Sequence, residues 1–397
     1  NSLPCLTFQL TSLFMRTEFF LSFFMLFEHT LLFASSIGQI CIPILQWKYL
    51  RKARNHVLWE YIIAQGDFFM EYTKLGNSDL KVSRICMGCM GFGNAKSGIH
   101  SWTLDEEHSR AILKRGLELG VNFFDTAAGY QSGTSEQYLG RALNDFAKRD
   151  EVVVATKFFP RSPQEIADGV SGKDHILGLL DRSLTNLGMD YVDLYICHMW
   201  DYHTPVEEMM EALNSAVVAG KVRAIGISNC FAWQLAKANY IADKNGWAKF
   251  VSIQGHYNLL FREEEREMVP FCKDQNIALT PYSPLASGRL AKKPSELSKR
   301  LQEDTYAKGK YDATKEKDAI IIDRVGELAK KKGLTRIQIS LGWLLTKVTA
   351  PVVGATKVSH IEEGVKAIGV QLTPDETAYL EEPYVPHALV GVMRENP

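Results

Sequence analysis

Residues 121–157 hold the stretch that decides the fold: VNFFDTAAGYQSGTSEQYLGRALNDFAKRDEVVVATK. Apolar runs stand at its two ends, over residues 121–125 and 152–157. Each run is short and rich in β-branched or aromatic side chains, which predicts a buried strand. A longer segment with helical spacing separates them, so the stretch is typical of one β/α unit followed by the strand of the next unit.

The same pattern extends in both directions along the chain. Six further apolar runs cover residues 85–88, 192–198, 224–228, 250–254, 277–282 and 350–354. Segments with helical spacing follow the runs; residues 108–120, for example, contain Ile112, Leu113 and Leu117 with charges between them and stop at Gly120. Eight alternating units predict a parallel sheet that closes into a (β/α)8 TIM barrel.

A doubly wound open sheet is the structural alternative. A dinucleotide-binding fold of that class carries G-x-G-x-x-G after its first strand. Gly88, Gly91 and Gly93 have the spacing G-x-x-G-x-G instead. The sequence also contains no G-x-x-x-x-G-K-[ST] phosphate loop, no G-x-S-x-G elbow and no H-E-x-x-H metal helix.

Composition excludes several classes of function. The 397 residues are 46% hydrophobic, which rules out a disordered chain. The 45 Lys and Arg residues balance 46 Asp and Glu residues, so the formal net charge is -1. This chain lacks the basic excess that nucleic-acid binding requires. We expect a small, roughly neutral ligand and no nucleic-acid partner. Composition alone does not determine the oligomeric state.

The first 69 residues differ from the rest. They contain half of the 20 Phe residues, and residues 29–47 contain no Asp, Glu, Lys or Arg ahead of a basic cluster. This predicts a hydrophobic extension, residues 1–69, before a barrel domain, residues 70–397. The extension is either a membrane anchor, with the barrel on the cytosolic side, or upstream sequence translated in frame.

Cysteine usage indicates a reducing compartment. The seven Cys residues are an odd number spread along the chain, and Cys86 and Cys89 form the one C-x-x-C pair. No second Cys or His pair stands at zinc-finger spacing, so we predict buried apolar side chains here and no metal site. We expect a cytoplasmic protein, which contacts a membrane only if residues 29–47 are an anchor.

Polar residues end three of the apolar runs. Asp125 ends the second run, Lys157 the third and His198 the fourth, and Tyr130 follows Asp125 by five residues. Because the carboxyl ends of barrel strands face one mouth, these four side chains are expected to converge there. One interpretation is structural, with a salt bridge at the rim and two hydrogen-bonded polar neighbours.

The other interpretation is carbonyl reduction. An ammonium at Lys157 would stabilise the phenolate of Tyr130 and bring the pKa of Tyr130 toward the working range. Asp125 would be the counter-ion of the buried ammonium, and His198 would donate a hydrogen bond to the carbonyl oxygen as hydride arrives. The sequence therefore predicts Tyr130 as general acid, assisted by Lys157, Asp125 and His198.

In order and context, these four residues resemble the catalytic tetrad of the aldo-keto reductases. The segments concerned are DTAAGY at 125–130, VVVATK at 152–157 and DLYICH at 193–198. Further matching segments are LGMDYVD at 187–193, GKVRAIGISN at 220–229 and PYSPL at 281–285, so the resemblance covers residues 70–397. HYNLLFREEER at 256–266 and PYVPH at 383–387 are most similar to YajO-type bacterial members.

The resemblance implies that NADPH binds across the barrel mouth. By position, Ser228, Asn229 and Gln254 would hold the nicotinamide carboxamide, and Tyr282 would stack on the nicotinamide ring. Asn229 as a helix cap and Tyr282 as barrel packing are the structural alternatives. The loop implied to carry the pyrophosphate contains Ser283, Leu285, Ser287 and Arg289.

The eighth run leads into GATKVSHIEE at 354–363, which is similar to the family segment at the adenosine end of the cofactor. A glycine turn entering a helix N-terminus offers backbone N–H groups to an anion. By resemblance, Thr356 and Lys357 would bind the 2′-phosphate, which favours NADPH over NADH. The other implied contacts are Gly354, His360 and Glu363. His360 departs from the Gln that many relatives carry.

Trp102 and Trp200 are predicted to wall the substrate pocket, with a core position as the alternative for Trp200. Gln131 follows Tyr130 where many relatives have Gly. Residues 292–317 are too polar for a core, which predicts either a cover beside the cofactor or a solvated insertion. The predicted function is NADPH-dependent reduction of an aldehyde or ketone to an alcohol. The alternative is a nicotinamide-sensing regulatory subunit with weak or no turnover.

Overall fold

The structure is a computed structural model, and it describes residues 70–98, 100–293, 296, 302–391 and 393. The predicted hydrophobic extension, residues 1–69, lies outside the described residues, and so does part of the predicted cover. Within the described ranges, no helix is long and apolar enough to cross a membrane. Cys86 and Cys89 are both fully buried, in agreement with the prediction for the C-x-x-C pair.

A hairpin that the eight apolar runs do not include comes first. Its strands β1 (Tyr72–Lys74) and β2 (Lys81–Ser83) pair in antiparallel register. Leu75, Leu80 and Val82 are buried in one cluster with Phe123, the first residue of a barrel strand. The hairpin therefore closes the end of the barrel at which the strands begin. Its strands have only three residues each and carry Lys side chains, so periodicity gives little sign of them.

Eight parallel strands form the predicted barrel. They are β3 (Cys86–Gly88), β4 (Phe123–Asp125), β5 (Val153–Phe158), β6 (Val192–Cys197), β7 (Val222–Ser228), β8 (Phe250–Gln254), β9 (Ala278–Leu279) and β10 (Val352–Gly354). From β3 to β9 each strand pairs with the next in sequence, and β10 pairs with β3, Val352 lying opposite Cys86. The backbone N–H of Val352 also donates to the Pro281 carbonyl at 2.9 Å, which joins the two ends of the sheet.

Helices cover the outer faces of the strands, as the alternating pattern predicts, and further helices lie beside the barrel. They are α1 (Glu106–Glu118), α2 (Thr134–Phe146), α3 (Pro163–Ala167), α4 (Gly172–Leu187), α5 (Val206–Val218), α6 (Ala232–Asn245), α7 (Met268–Gln275), α8 (Thr305–Tyr311), α9 (Lys315–Lys332), α10 (Arg336–Leu345), α11 (Val358–Lys366) and α12 (Pro374–Glu381). Asp105 caps α1 by accepting from the His108 N–H at 3.0 Å, and Gly120, with φ +84°, lies just beyond its end.

A second apolar cluster lies beside the barrel and buries Tyr311, Ile321, Trp343 and Leu380 from α8, α9, α10 and α12. Tyr311 belongs to the stretch that the sequence analysis judged too polar for a core, so that judgement is wrong at this end of the stretch. The reason is that the short helix α8 carries both buried and exposed side chains: Tyr311 is buried, whereas Lys308, three residues earlier, is exposed.

Candidate active site

Lys157 lies at the centre of the predicted tetrad. Its ammonium donates to Asp125 Oδ1 at 2.5 Å, to the Thr126 carbonyl at 2.8 Å and to the Tyr130 hydroxyl at 3.2 Å. The side chains of Lys157 and Asp125 are 0% and 3% exposed. All three N–H donors of the ammonium therefore have acceptors, as a buried charge requires.

Parallel register brings these groups to one mouth of the barrel. β4 ends at Asp125 and pairs with β5, which carries Lys157, and His198 directly follows β6. Tyr130 begins a short 3₁₀ turn after β4, and the preceding loop is tied to β5 by the Ala128 N–H, which donates to the Lys157 carbonyl at 3.0 Å. The structure thus places the four predicted side chains together.

His198 contacts two aromatic rings. Its ring centre lies 5.7 Å from that of Tyr130, edge-on, and 4.1 Å from that of Phe159, stacked. Nδ1 of His198 is buried and has no hydrogen-bond partner among the described residues. Phe159 is 37% exposed. Sequence reasoning missed Phe159, although its place directly after β5, two residues from Lys157, is a signal for it.

Burial and charge decide which of these groups carry protons. Burial lowers the pKa of Lys157, but attraction to Asp125 and then to Tyr130 outweighs it and raises that pKa above its ordinary value. Burial and then the Lys157 charge hold the pKa of His198 well below its usual range. At neutral pH, Lys157 is therefore charged and His198 is a neutral imidazole.

Tyr130 differs from the sequence expectation in the net direction of its shift. Lys157 lowers the pKa of Tyr130, as predicted, but burial raises it by more, so the pKa lies above its ordinary value. The expectation considered the charge and left out the removal of the phenolate from water. A hydroxyl that keeps its proton at neutral pH is suited to donating it.

A polar network connects the tetrad to β7 and β8. Gln254 Nε2 donates to Asp125 Oδ2 at 2.9 Å, and the Ser228 hydroxyl donates to the Gln254 carbonyl at 2.7 Å. Asn229 Nδ2 donates to the Ser228 hydroxyl and to the His198 carbonyl, both at 2.9 Å. The three residues predicted to hold a carboxamide therefore lie in one cluster with two members of the tetrad.

Tyr282 completes this cluster by donating its hydroxyl to Asn229 Oδ1 at 3.0 Å. Asn229 is not the cap of the next helix, because the N-cap of α6 is Phe231. The structural alternative for Asn229 is therefore wrong. Asn229 also has a φ of +48°, a left-handed conformation that asparagine tolerates better than most residues.

The loop after β9 carries the residues predicted to contact a pyrophosphate, namely Ser283, Leu285, Ser287 and Arg289. Ser283 and Ser287 have φ of +54° and +55°, so the backbone turns sharply twice. Arg289 pairs with Asp312 at 2.7 Å, and Leu285 packs against both apolar clusters. Nη1 of Arg289 is buried without a hydrogen-bond partner in the described part of the chain.

The end of β10 holds the residues predicted at the adenosine end. Gly354 and Lys357 are exposed, and Lys357 occupies the N-cap position of α11 without a side-chain capping bond. Thr356 Oγ1 lies 3.5 Å from His360 Nδ1. Glu363 accepts a hydrogen bond from the N-cap hydroxyl of α10 at 2.6 Å, so its carboxylate is already engaged within the protein.

The two predicted wall residues lie in different surroundings. Trp102 is 6% exposed. Its indole and the Thr356 side chain both lie next to Gly91, on the β10 side of the mouth. Trp200 is half-buried against the main apolar cluster, with its ring 6.5 Å from that of Trp233, which is 55% exposed.

A family model described as the aldo/keto reductase family matches residues 84–384. The chain belongs to this family. Versiconal hemiacetal acetate reductase of Aspergillus parasiticus is 40% identical over 342 residues, covering 81% of this chain and 98% of that protein. An aldo-keto reductase of Metarhizium robertsii is 39% identical over 346 residues, covering 81% and 93%. The crystal structure of the thermostable aldo-keto reductase Tm1743 with the inhibitor epalrestat superposes with a TM-score of 0.63 at 28% identity, covering 79% of this chain and all of that one.

Membership of the aldo/keto reductase family makes the barrel an oxidoreductase of a family that uses nicotinamide cofactors. It also confirms the (β/α)8 class, since the solved relative covers most of the described barrel.

Two residues of this aldo-keto reductase that sequence reasoning missed lie on the ring of Tyr282. His256 stacks on it with 5.3 Å between ring centres and 7° between planes. Lys310 Nζ lies 4.5 Å from the ring centre and 3.4 Å from the Tyr282 hydroxyl. The sequence offers no signal for Lys310, because it stands in a run of polar residues that resembles a solvated surface.

A cavity of about 190 Å³ beside His256 contains an unusual carboxyl, that of Glu264. Burial, and then the charge of Glu263, raise the pKa of Glu264 to about 7. A carboxyl whose pKa is higher in the folded than in the unfolded protein stabilises the fold at pH values below its unfolded pKa. This contribution to the free energy of unfolding is lost as the pH rises through 7. We expect Glu264→Gln to raise the free energy of unfolding by about 2–3 kcal/mol at pH 8 and by less than about 1 kcal/mol at pH 5.

Urea unfolding at the two pH values measures this difference. Glu267→Gln is the matched control, because Glu267 lines the same cavity but is exposed. A gain of equal size at both pH values would contradict the expected ionisation of Glu264.

Proposed function

We propose that this protein reduces aldehydes or ketones to alcohols with NADPH, with Tyr130 as general acid. One observation carries the proposal: the buried Lys157 ammonium joins Asp125 to the Tyr130 hydroxyl at the barrel mouth. A structural salt bridge has no need of a partly exposed phenol as its third member. The reductase name of the Aspergillus parasiticus relative supports the same reaction class.

The residues at the mouth fit the nicotinamide cofactor. Asn229 and Gln254 present amide groups in one cluster, and Tyr282 offers an aromatic ring beside them. The buried Nη1 of Arg289 lacks a partner among the described residues, which an anionic group at that loop would supply. NADPH, when bound, supplies the hydride.

The chain's own groups manage the proton and the developing charge. Tyr130 donates its proton to the substrate oxygen, and the Lys157 ammonium at 3.2 Å stabilises the phenolate that remains. Asp125 keeps Lys157 charged in its buried place. His198, a neutral imidazole, donates a hydrogen bond that orients the substrate oxygen and stabilises the charge on it.

Aromatic aldehydes are the substrate class that the mouth favours. Phe159 stacks on His198 and is 37% exposed. Two further exposed aromatic residues are close in sequence to site residues: Tyr202, 43% exposed, follows His198, and Trp233, 55% exposed, follows Asn229. Planar aromatic substrates gain binding energy from stacking on such rings.

The similarity to YajO-type bacterial enzymes stays a prediction. The alternative function, a nicotinamide-sensing subunit with weak turnover, also stays a prediction.

The test is NADPH oxidation by the full chain with a panel of substituted benzaldehydes, aliphatic aldehydes and sugar phosphates. We expect turnover to be fastest with the aromatic aldehydes. A chain that binds NADPH and turns over no carbonyl compound would favour the cofactor-sensing alternative and contradict the proposal.

Lys357→Ala is expected to weaken discrimination between the two nicotinamide cofactors. We assign Lys357 to the 2′-phosphate, and a hydrogen bond to a charged group contributes about 1.5–3 kcal/mol. The ratio of KM for NADH to KM for NADPH should therefore fall by ~10-fold or more, mainly through a higher KM for NADPH. Steady-state kinetics with both cofactors measure it, with Lys114→Ala on the exposed face of α1 as control. An unchanged ratio would rule out the assignment.

A further inference from the structure

Gln131, directly after Tyr130, lies in an unusual backbone conformation. It is 1% exposed with φ +47°, and Ser132 and Gly133 follow with φ +57° and +91°. A left-handed conformation costs a residue with a side chain roughly 1–2 kcal/mol. Two such residues in succession persist only where other contacts hold them in place.

The contacts that hold Gln131 come from the loop after β3, residues 94–98 and 100–103, here named the first loop. Nε2 of Gln131 lies 3.0 Å from the Asn94 carbonyl, 3.1 Å from the His100 carbonyl and 3.2 Å from Thr103 Oγ1. Oε1 accepts from the His100 N–H at 3.2 Å. One buried amide is therefore bonded to both ends of the first loop.

The first loop is shaped closely around this side chain. A Cβ at Gly98 would lie 2.2 Å from Gln131 Oε1, and a Cβ at Gly93 would lie 2.7 Å from Gln131 Cβ. The Ser97 hydroxyl donates to the Gln131 carbonyl at 3.1 Å, and the Ser132 hydroxyl donates to the Ser97 carbonyl. Backbone and side chain of residues 131 and 132 are thus both fastened to the first loop.

We propose that Gln131 is a positioning residue for Tyr130. By bonding the first loop, its amide holds residues 131–133 in the left-handed turn from which the Tyr130 hydroxyl reaches Lys157 at 3.2 Å. This inference rests on the proposed role of Tyr130 as general acid. Without the amide, only the hydroxyl contacts of Ser97 and Ser132 with this turn remain to offset its cost, so the turn relaxes and carries Tyr130 away from the ammonium.

Two variants separate the amide from the backbone. Gln131→Glu keeps the size of the side chain but directs a carboxylate oxygen, in place of the donor, at two carbonyls. Gln131→Gly removes the cost of positive φ together with the amide. In Gln131→Glu we expect kcat with benzaldehyde to fall ~10–100-fold, because small misplacements of a reacting group have effects of that size. In Gln131→Gly the fall should be smaller, because the turn no longer carries the cost of positive φ at residue 131.

Three further readouts identify the step affected. The Kd of NADPH should stay within about two-fold, while the primary deuterium isotope effect with deuterated NADPH should increase, since the chemical step has become slower. Trypsin cleavage after Lys96, an exposed residue of the first loop, should become faster and can be followed by mass spectrometry without any turnover. Gln137→Glu on α2, with one side-chain bond to Asn186 at 3.4 Å, is the matched control.

Wild-type kcat and isotope effect in Gln131→Glu would overturn the proposal. A fall in kcat for Gln131→Gly as large as that for Gln131→Glu would overturn it as well, since relief of the cost of positive φ would then make no difference. If the wild-type chain reduces no carbonyl compound, the proposed function fails, and the rate of cleavage after Lys96 still shows whether Gln131 holds the first loop.

Discussion

Tyr130→Phe is expected to lower kcat for benzaldehyde reduction by ~10²–10⁴-fold, the range that a positioned general acid contributes. Phenylalanine keeps the ring that lies 4.9 Å from Lys157 Nζ and edge-on to His198, and it removes only the hydroxyl. The fold and the affinity for NADPH should therefore change little. Single-turnover NADPH oxidation measures the chemical step, and fluorescence titration measures cofactor binding.

Tyr138→Phe is the control for this experiment, because Tyr138 lies on α2 beside Arg141 and outside the mouth. If Tyr130→Phe reduced benzaldehyde as fast as the wild type, with Tyr138→Phe also unchanged, another group would have to supply the proton and the proposed reaction mechanism would be wrong.

Lys157→Met is expected to have two large effects. It leaves the carboxylate of Asp125 buried without its ion pair, which costs ~3–5 kcal/mol in the free energy of unfolding. It also removes the cation that stabilises the Tyr130 phenolate, so kcat should fall by ~10²-fold or more. Urea unfolding and single-turnover kinetics measure the two effects on the same preparation.

A double variant separates stability from chemistry here. Asp125→Asn with Lys157→Met removes both charges, so much of the lost stability should return while kcat stays low. A Lys157→Met chain as stable as the wild type would mean that the pair is not desolvated in solution. A double variant with wild-type kcat would show that the pair serves the fold alone.

The sequence predicts the eight barrel strands well, because each is an apolar run bounded by polar segments. Asp125, Lys157 and His198 were found because each ends or directly follows such a run, and parallel strands place their ends together. Asn229 illustrates the limit of sequence-based prediction. Asparagine is common both as a helix cap and in polar networks, and only the structure shows that α6 begins after Phe231 and not after Asn229.

Other features depend on distances that the sequence does not contain. Gln131 bonds backbone carbonyls of the first loop, and any residue type supplies a carbonyl, so no side-chain pattern marks its partners. The net shift of Tyr130 depends on how much water the fold removes from its hydroxyl. Lys310 reaches an aromatic ring from within a polar stretch.

The pairing of β10 with β3 has a consequence for how the chain folds. Val352 and Cys86 come from opposite ends of the barrel sequence, so the ring cannot close until residue 352 has left the ribosome. Until then, β3 has an open edge, and Leu75 and Val82 of the hairpin lack much of the interior they finally fill. A nascent chain in this condition has unpaired backbone and exposed apolar surface, which makes chaperone binding during synthesis more important for this barrel than for a protein built of local contacts.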